Sequence, residues 1–306
     1  MQSTVKKYFE VSGISLHRGE PVEIVVRPAE QNTGITFVRT DVVGKNPTIK
    51  ALYNFVSGTS LCTRISNNDG VSVQTIEHLM AAFAGTGVHN AVVEIDGPEL
   101  PIMDGSAKGF VKKILEAGKK TLCAPLQGYK VTENVIVRRD KAWARLSPAA
   151  DLSIDFKIDY SDTIIGKQTL ALSMKNGTFV RELCDSRTFC RENEISLLRD
   201  KGLAKGGTLG NAVVVGANSV QNKEGLRRVD ECVRHKMLDA MGDLSLAGAP
   251  IIAAYSSNCG GHALTNQLLR QAFLKPNVLQ LREIDPSQVI QLPGFGLKKS
   301  DLCNLV

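Results

Sequence analysis

The secondary-structure signals of this chain run in the same order twice: strands, helix, strand, helix, once before about residue 125 and once after it. No other feature limits the fold as much. In the first cycle, Val22 to Arg27 alternates apolar and polar side chains, and Gly34 to Arg39 reads as another strand. Ile76, Leu79, Met80 and Phe83 then recur at i, i+3, i+4 and i+7 between Ser72 and Gly85, which predicts a helix. The β-branched run from Asn90 to Ile95 predicts a buried strand. Asp104-Gly105-Ser106 reads as a turn, with Ser106 placed to cap a helix that carries Phe110, Val111, Ile114 and Leu115 and ends near Gly118. Cys123 to Gly128 marks the boundary. The second cycle places strands at Val131–Val137, Ala144–Leu146 and Leu152–Ile158, then a long connection and a strand at Ala212–Val215. A helix from about Asp230 to Leu244, a strand at Ile251–Tyr255 and a helix from near Ala263 follow. Residues after about Pro276 read as loop. The fold class is therefore α+β, with two sandwich domains of similar architecture, 1–125 and 126–306. A length of 306 residues suits two domains of roughly 150 each.

Composition narrows the function. The net charge of +6 suits an anionic partner, but the surplus is not gathered into a basic arm, and 5% aromatic residues leave little to stack bases on. Nucleic acid is not expected as a partner. The best apolar stretch, Leu244 to Tyr255, is broken by Ser245, Gly248 and Pro250 and falls far short of the roughly 20 residues of a spanning helix. Met1 to Glu10 lacks the apolar core of a signal peptide, so stable membrane insertion is not expected. Seven cysteines without a CxxC pair point to reduced thiols and a cytoplasmic location.

Three segments carry chemistry. In Arg234-His235-Lys236-Met237-Leu238-Asp239, a helix sets His235 and Asp239 at i and i+4 on one face, with Asp243 one turn on. Val233, Met237, Ala240, Met241 and Leu244 fall opposite. Such a pair can give two ligands to a divalent metal, or it can be a solvated His–Asp pair on an amphipathic helix. Glu77-His78 lies in the other well-formed helix, off its apolar stripe; an imidazole that holds an ion beside a carboxylate that takes a proton from water is what a zinc hydrolase needs. Gly260-Gly261-His262 follows a strand and opens the last helix, a place for an acid or base at a cleft edge, or for a turn histidine. The chain has no HExxH.

Six motifs occur together and in order: Gly-Ile-Ser-Leu-His-Arg-Gly (13–19), Thr-Ile-Glu-His-Leu-Met-Ala-Ala (75–82), Pro-Ile-Met-Asp-Gly-Ser-Ala (101–107), Ser-Arg-Thr-Phe (186–189), Val-Arg-His-Lys-Met-Leu-Asp-Ala-Met-Gly-Asp-Leu (233–244) and Gly-His-Ala-Leu-Thr-Asn (261–266). Over roughly residues 3 to 272 the chain resembles the UDP-3-O-acyl-N-acetylglucosamine deacetylases, the zinc amidases of lipid A biosynthesis. The resemblance implies that the two sandwiches face each other with the site between them. It implies zinc held by His78, His235 and Asp239, a general base at Glu77 and a catalytic histidine at His262 oriented by Asp243. It implies a hydroxyl beside the metal at Thr188, a ring lining the sugar site at Phe189, and a substrate-contacting cation at Lys236. The implied substrate is UDP-3-O-acyl-N-acetylglucosamine, losing its 2-acetyl group as acetate, with no obligate protein partner. An insert in the second domain would pass the acyl chain; Glu192 to Val215 fits it, through Ile195, Leu197, Leu198, Leu203 and Leu209. Near Asp140-Lys141-Ala142-Trp143 the spacing departs by one from the family's nucleotide-contacting basic residue, leaving Lys141 unassigned. His17 and Asp104 suit turns as well as function. A zinc amidase for another acylated amino sugar, and a metal-stabilised binding module, stand as alternatives.

Overall fold

The computed structural model describes residues 1–298, 300 and 301. In the first half, β1 (Phe9–Ile14), β2 (Pro21–Pro28), β3 (Ile35–Arg39), β4 (Thr48–Lys50) and β5 (Ala91–Ile95) form one sheet in the order β1-β2-β5-β3-β4. β5 is antiparallel to β2 and parallel to β3. In the second half, β6 (Val135–Arg139), β7 (Ala142–Ser147), β8 (Ser153–Tyr160), β9 (Gly166–Ser173) and β10 (Ala254–Asn258) take the order β6-β7-β10-β8-β9. β10 is antiparallel to β7 and parallel to β8. One topology is thus used twice, as the repeated signal order predicts. Period-two patterning drives both sheets: Val22, Ile24 and Val26 of β2, and Ile154, Phe156 and Ile158 of β8, turn inward from alternate positions.

The helices that matter are α1 (Glu77–Thr86), α2 (Lys108–Ala117), the short α3 (Ile195–Asp200), α4 (Glu231–Ser245) and α5 (His262–Leu274). α1 precedes β5 and α2 follows it; α4 precedes β10 and α5 follows it. α2 packs on α1, α5 packs on α4, and α1 and α4 pack directly on each other. This contact is close because Gly242 of α4 has no side chain: a Cβ there would lie 2.1 Å from the Glu77 carbonyl oxygen. Buried apolar side chains from both halves form one continuous cluster around the helices.

The structure corrects several local expectations. Ser72 belongs to a strand (Ser72–Gln74), and Gly85 lies inside α1, where the Phe179 ring occupies the space of a side chain. The helix stops at Gly87, whose φ of 73° is the left-handed geometry that glycine adopts without strain. Val131–Val137 is not one strand. Gln127–Val131 pairs with Ile251–Ile252 and with Leu279–Glu283 in a separate sheet, and β6 starts four residues after it, at Val135. Ile251–Tyr255 divides likewise between that sheet and β10. The segment after Pro276 therefore contains a strand, followed by a helical turn at Pro286–Val289 that Asp285 caps. β9 lay hidden in the expected long connection, because an edge strand with half its side chains polar carries a weak signal. Among the described residues no helix is long and apolar enough to cross a membrane.

Candidate metal centre

The facing helices gather the chemistry. α1 supplies Glu77 and His78 from its first turn; α4 supplies His235, Asp239 and Asp243 from successive turns of one face; His262 is the first residue of α5. All six are buried. The solvated His–Asp surface pair is therefore excluded: the polar face of α4 does not meet water but the polar start of α1.

Ligand atoms of His78, His235 and Asp239 lie within 4.8 Å of one another. His78 Nε2 is 3.6 Å and His235 Nε2 3.4 Å from Asp239 Oδ1. That oxygen is buried and has no hydrogen-bond partner among the described residues, although an unpaired buried carboxylate oxygen is costly. Two imidazoles and a carboxylate oxygen converging on one point fit a zinc ion and leave a fourth position open. The protonation states agree. Burial pushes His235 down to about 4, against the pull of Asp239, so its imidazole is neutral. Asp239 is held well below the usual carboxylate range: burial opposes its charge, but His235, Lys236 and His78 outweigh it. His235 Nδ1 donates to the Ser186 carbonyl oxygen at 3.0 Å, which leaves the Nε2 lone pair free for a metal. Lys236 Nζ donates to Asp239 Oδ2 at 2.7 Å.

Beside the cluster stands a second constellation. His262 Nδ1 donates to Asp243 Oδ2 at 2.8 Å. Burial lowers the affinity of His262 for a proton, but Asp243 raises it more, to a pKa of about 9. His262 Nε2 is 3.9 Å from both Glu77 Oε1 and Asp239 Oδ2. Burial pushes Glu77 above the ordinary carboxylate range, against the attraction of His262 and His78. A proton donor and a proton acceptor thus meet at the edge of the metal cluster.

A cavity of about 200 Å³ opens onto these groups, and Thr188, Phe189 and Lys236 line it, as does Leu198 of α3. The Phe189 ring stands edge-on to Tyr160 at 5.3 Å and to His235 at 6.3 Å. Thr188 is fixed through its backbone: its N–H donates to the Gly105 carbonyl and its carbonyl accepts from Val213, both at 2.8 Å. Leu197 and Leu209 of the expected insert are solvent-exposed instead. Lys141 is outside the cavity lining, and Asp104 takes the turn role, accepting from Ser106 and pairing with Arg227 at 2.9 Å. His17 does line the cavity; its ring is buried, and neither nitrogen has a hydrogen-bond partner among the described residues. A larger cavity of about 420 Å³ lies elsewhere along α1 and α4, against Met80, Phe83, Met241 and Leu244, and includes none of the metal cluster.

Sequence reasoning missed Thr63. Its hydroxyl donates to Asp243 Oδ1 at 2.6 Å and its N–H to Glu77 Oε2 at 3.0 Å, so one residue orients both carboxylates. Nothing in Leu61-Cys62-Thr63 announces this. Gly242 was missed too: it stands in the 233–244 motif, but nothing in its spacing announces that another helix packs against it.

A buried two-histidine, one-carboxylate centre with a glutamate and a His–Asp pair beside it, set between two α+β sandwiches, defines a zinc-dependent hydrolase. The family model of the UDP-3-O-acyl N-acetylglycosamine deacetylases matches residues 2–274, and the chain belongs to that family. The UDP-3-O-acyl-N-acetylglucosamine deacetylase of Phenylobacterium zucineum is 44% identical over 281 residues, covering 92% of this chain and 96% of the relative. The proteins of that name from Pasteurella multocida and Haemophilus influenzae are 39% and 42% identical, covering 94% and 88% of this chain and 95% and 88% of their own lengths.

Proposed function

We propose that the chain removes the 2-acetyl group of UDP-3-O-acyl-N-acetylglucosamine, yielding acetate and the free amine, with zinc held by His78, His235 and Asp239. Zinc, when bound, supplies Lewis acidity, drawing the pKa of water toward about 7 and polarising the amide carbonyl. Glu77 takes the proton of the attacking water, as a buried carboxylate with a raised pKa is suited to do. The Thr188 hydroxyl steadies the oxygen that gains charge as the carbonyl carbon becomes tetrahedral. His262, kept protonated by Asp243, gives its Nε2 proton to the nitrogen as the carbon–nitrogen bond breaks. Lys236 contacts the substrate, and Phe189 packs against the sugar. Ile195 and Leu198 on α3 start the path of the acyl chain outward.

The observation that supports this reading is the equal 3.9 Å separation of His262 Nε2 from Glu77 Oε1 and from Asp239 Oδ2, the closeness that an acid, a base and a metal ligand serving one reacting centre require. Free thiols at Cys62, Cys184, Cys190 and Cys232 support a cytoplasmic setting. The test is acetate release from UDP-3-O-acyl-N-acetylglucosamine, from the same nucleotide sugar without its acyl chain, and from the acylated sugar without its nucleotide. The intact substrate is expected to be turned over fastest by a wide margin; equal turnover of all three would reject the substrate assignment.

A further inference from the structure

The loop that meets His235 is fastened to α4 at two points one helical turn apart. Glu231 and His235 stand at i and i+4 on the same face. Along that face runs the segment Ser186-Arg187-Thr188. The Ser186 carbonyl oxygen accepts from His235 Nδ1, and the next residue, Arg187, is locked to Glu231. Both ionic partners are buried, at 3% and 1% exposure. Glu231 Oε1 accepts from the Arg187 backbone N–H at 3.0 Å and from Nε at 2.9 Å. Glu231 Oε2 accepts from Arg187 Nη2 at 3.1 Å and from the Arg227 N–H at 2.7 Å. The remaining guanidinium contacts are Glu224 at 2.7 Å and the Gly225 carbonyl at 2.7 Å. Four of the five guanidinium N–H groups and both carboxylate oxygens of the pair are hydrogen-bonded, and neither residue lines the cavity at the metal cluster.

A buried ion pair gains little net stability over apolar side chains of the same size. Its geometry, by contrast, is specific: a bidentate fork holds two backbone segments in one relative position. Here the segment so held carries the one carbonyl that sets the tautomer and ring orientation of His235. We propose that Arg187 and Glu231 are positioning residues for the metal centre, keeping the Ser186 carbonyl on His235 Nδ1 and so keeping Nε2 aimed at Asp239 and His78. The same clamp fixes Thr188, the residue after Arg187, at the cavity wall.

This rests on the reading of His235 as a metal ligand, and the experiment separates the two. Full-length wild type, Arg187→Lys, Glu231→Gln and His235→Ala are stripped of metal, their thermal unfolding is recorded, and zinc is titrated against a competing chelator. Cobalt is then substituted and its visible absorption band compared. Arg187→Lys retains the charge but loses the fork; it is expected to bind zinc about 10- to 100-fold more weakly, as removal of an outer partner of a ligating histidine does. Its cobalt band should shift, and its metal-free unfolding should move to lower temperature because buried acceptors of Glu231 and Gly225 lose their donors. Wild-type zinc affinity and an unshifted cobalt band in Arg187→Lys, whatever its melting temperature, would overturn the proposal. Glu231→Gln removes the buried charge that faces the guanidinium and leaves Glu224 as its ionic partner, and if it fails to fold Arg187→Lys decides alone. Nitrogen NMR of the wild-type imidazoles gives a check free of variants: His235 must carry its proton on Nδ1, and a proton on Nε2 in the metal-free protein would also overturn it. Unchanged zinc affinity in His235→Ala would instead refute the metal reading itself.

Discussion

Replacing Gly242 by alanine sets helix propensity against the packing of α1 on α4. Inside a helix, alanine is favoured over glycine by about 1 kcal/mol. At this position the added methyl would stand 2.1 Å from the Glu77 carbonyl oxygen and 2.9 Å from its carbon, where ordinary contact begins near 3.4 Å. The neighbour is backbone and cannot swing aside, so α4 must withdraw from α1 by roughly 1 Å. Overpacking costs about 1–3 kcal/mol, and a backbone clash belongs at the top of that range, so the net loss is expected to be about 2 kcal/mol. The shift also parts His235 and Asp239 from His78 and Glu77, and a displacement of this size costs about 100-fold in turnover. Gly109→Ala in α2 is the matched control, since its Cβ comes tightest, at 3.3 Å, to the flexible end of Met103 and meets the rest of that side chain at ordinary contact distance, so it should gain stability. Urea unfolding of the metal-free proteins, zinc titration and acetate release measure the three effects. Should Gly242→Ala be as stable as Gly109→Ala and bind zinc like wild type, the account of how the two helices assemble the site is wrong.

Three further outcomes are expected. Glu77→Gln should retain zinc by elemental analysis while acetate release drops at least about 100-fold, and full activity would remove Glu77 as the base. A strong chelator should abolish turnover and added zinc restore it, with the far-ultraviolet circular dichroism unchanged because a continuous apolar core, not the ion, holds the helices; loss of that signal on chelation would contradict this. Asp104 lies below its usual 3.8: burial opposes its charge, but the Ser106 bonds and Arg227 outweigh burial. Its contribution is thus complete above about pH 4 and lost as pH falls through the lower folded value, so Asp104→Asn should flatten the acid limb of a stability-against-pH curve; an unchanged limb would show the pair contributes nothing.

Much of the architecture was legible because apolar spacing reports it directly. Ile76, Leu79, Met80 and Phe83 located α1, and the alternation in β2 and β8 located sheet interiors. The edges were not legible. β9 and the strand Leu279–Glu283 carry polar side chains toward solvent, and their identity as strands depends on partners far away in sequence. The site was legible as a set of residues but not as an environment. Spacing put His235, Asp239 and Asp243 on a polar face of α4, and a polar face ordinarily means water. Only the docking of α1, permitted by Gly242, turns that face inward. Thr63 was invisible for the same reason: its partners, Glu77 and Asp243, lie 14 and 180 residues away.

The two sheets share a topology, and the helix preceding the middle strand of each, α1 and α4, carries the groups of the candidate metal cluster. Labour is accordingly split along the seam of the repeat: one imidazole and the carboxylate beside it come from the earlier copy, the other imidazole and the aspartate from the later one. Neither copy alone owns a complete grip on an ion. Severing the polypeptide between the copies would yield two fragments, each mute by itself, whose chemistry could return only by reassociation.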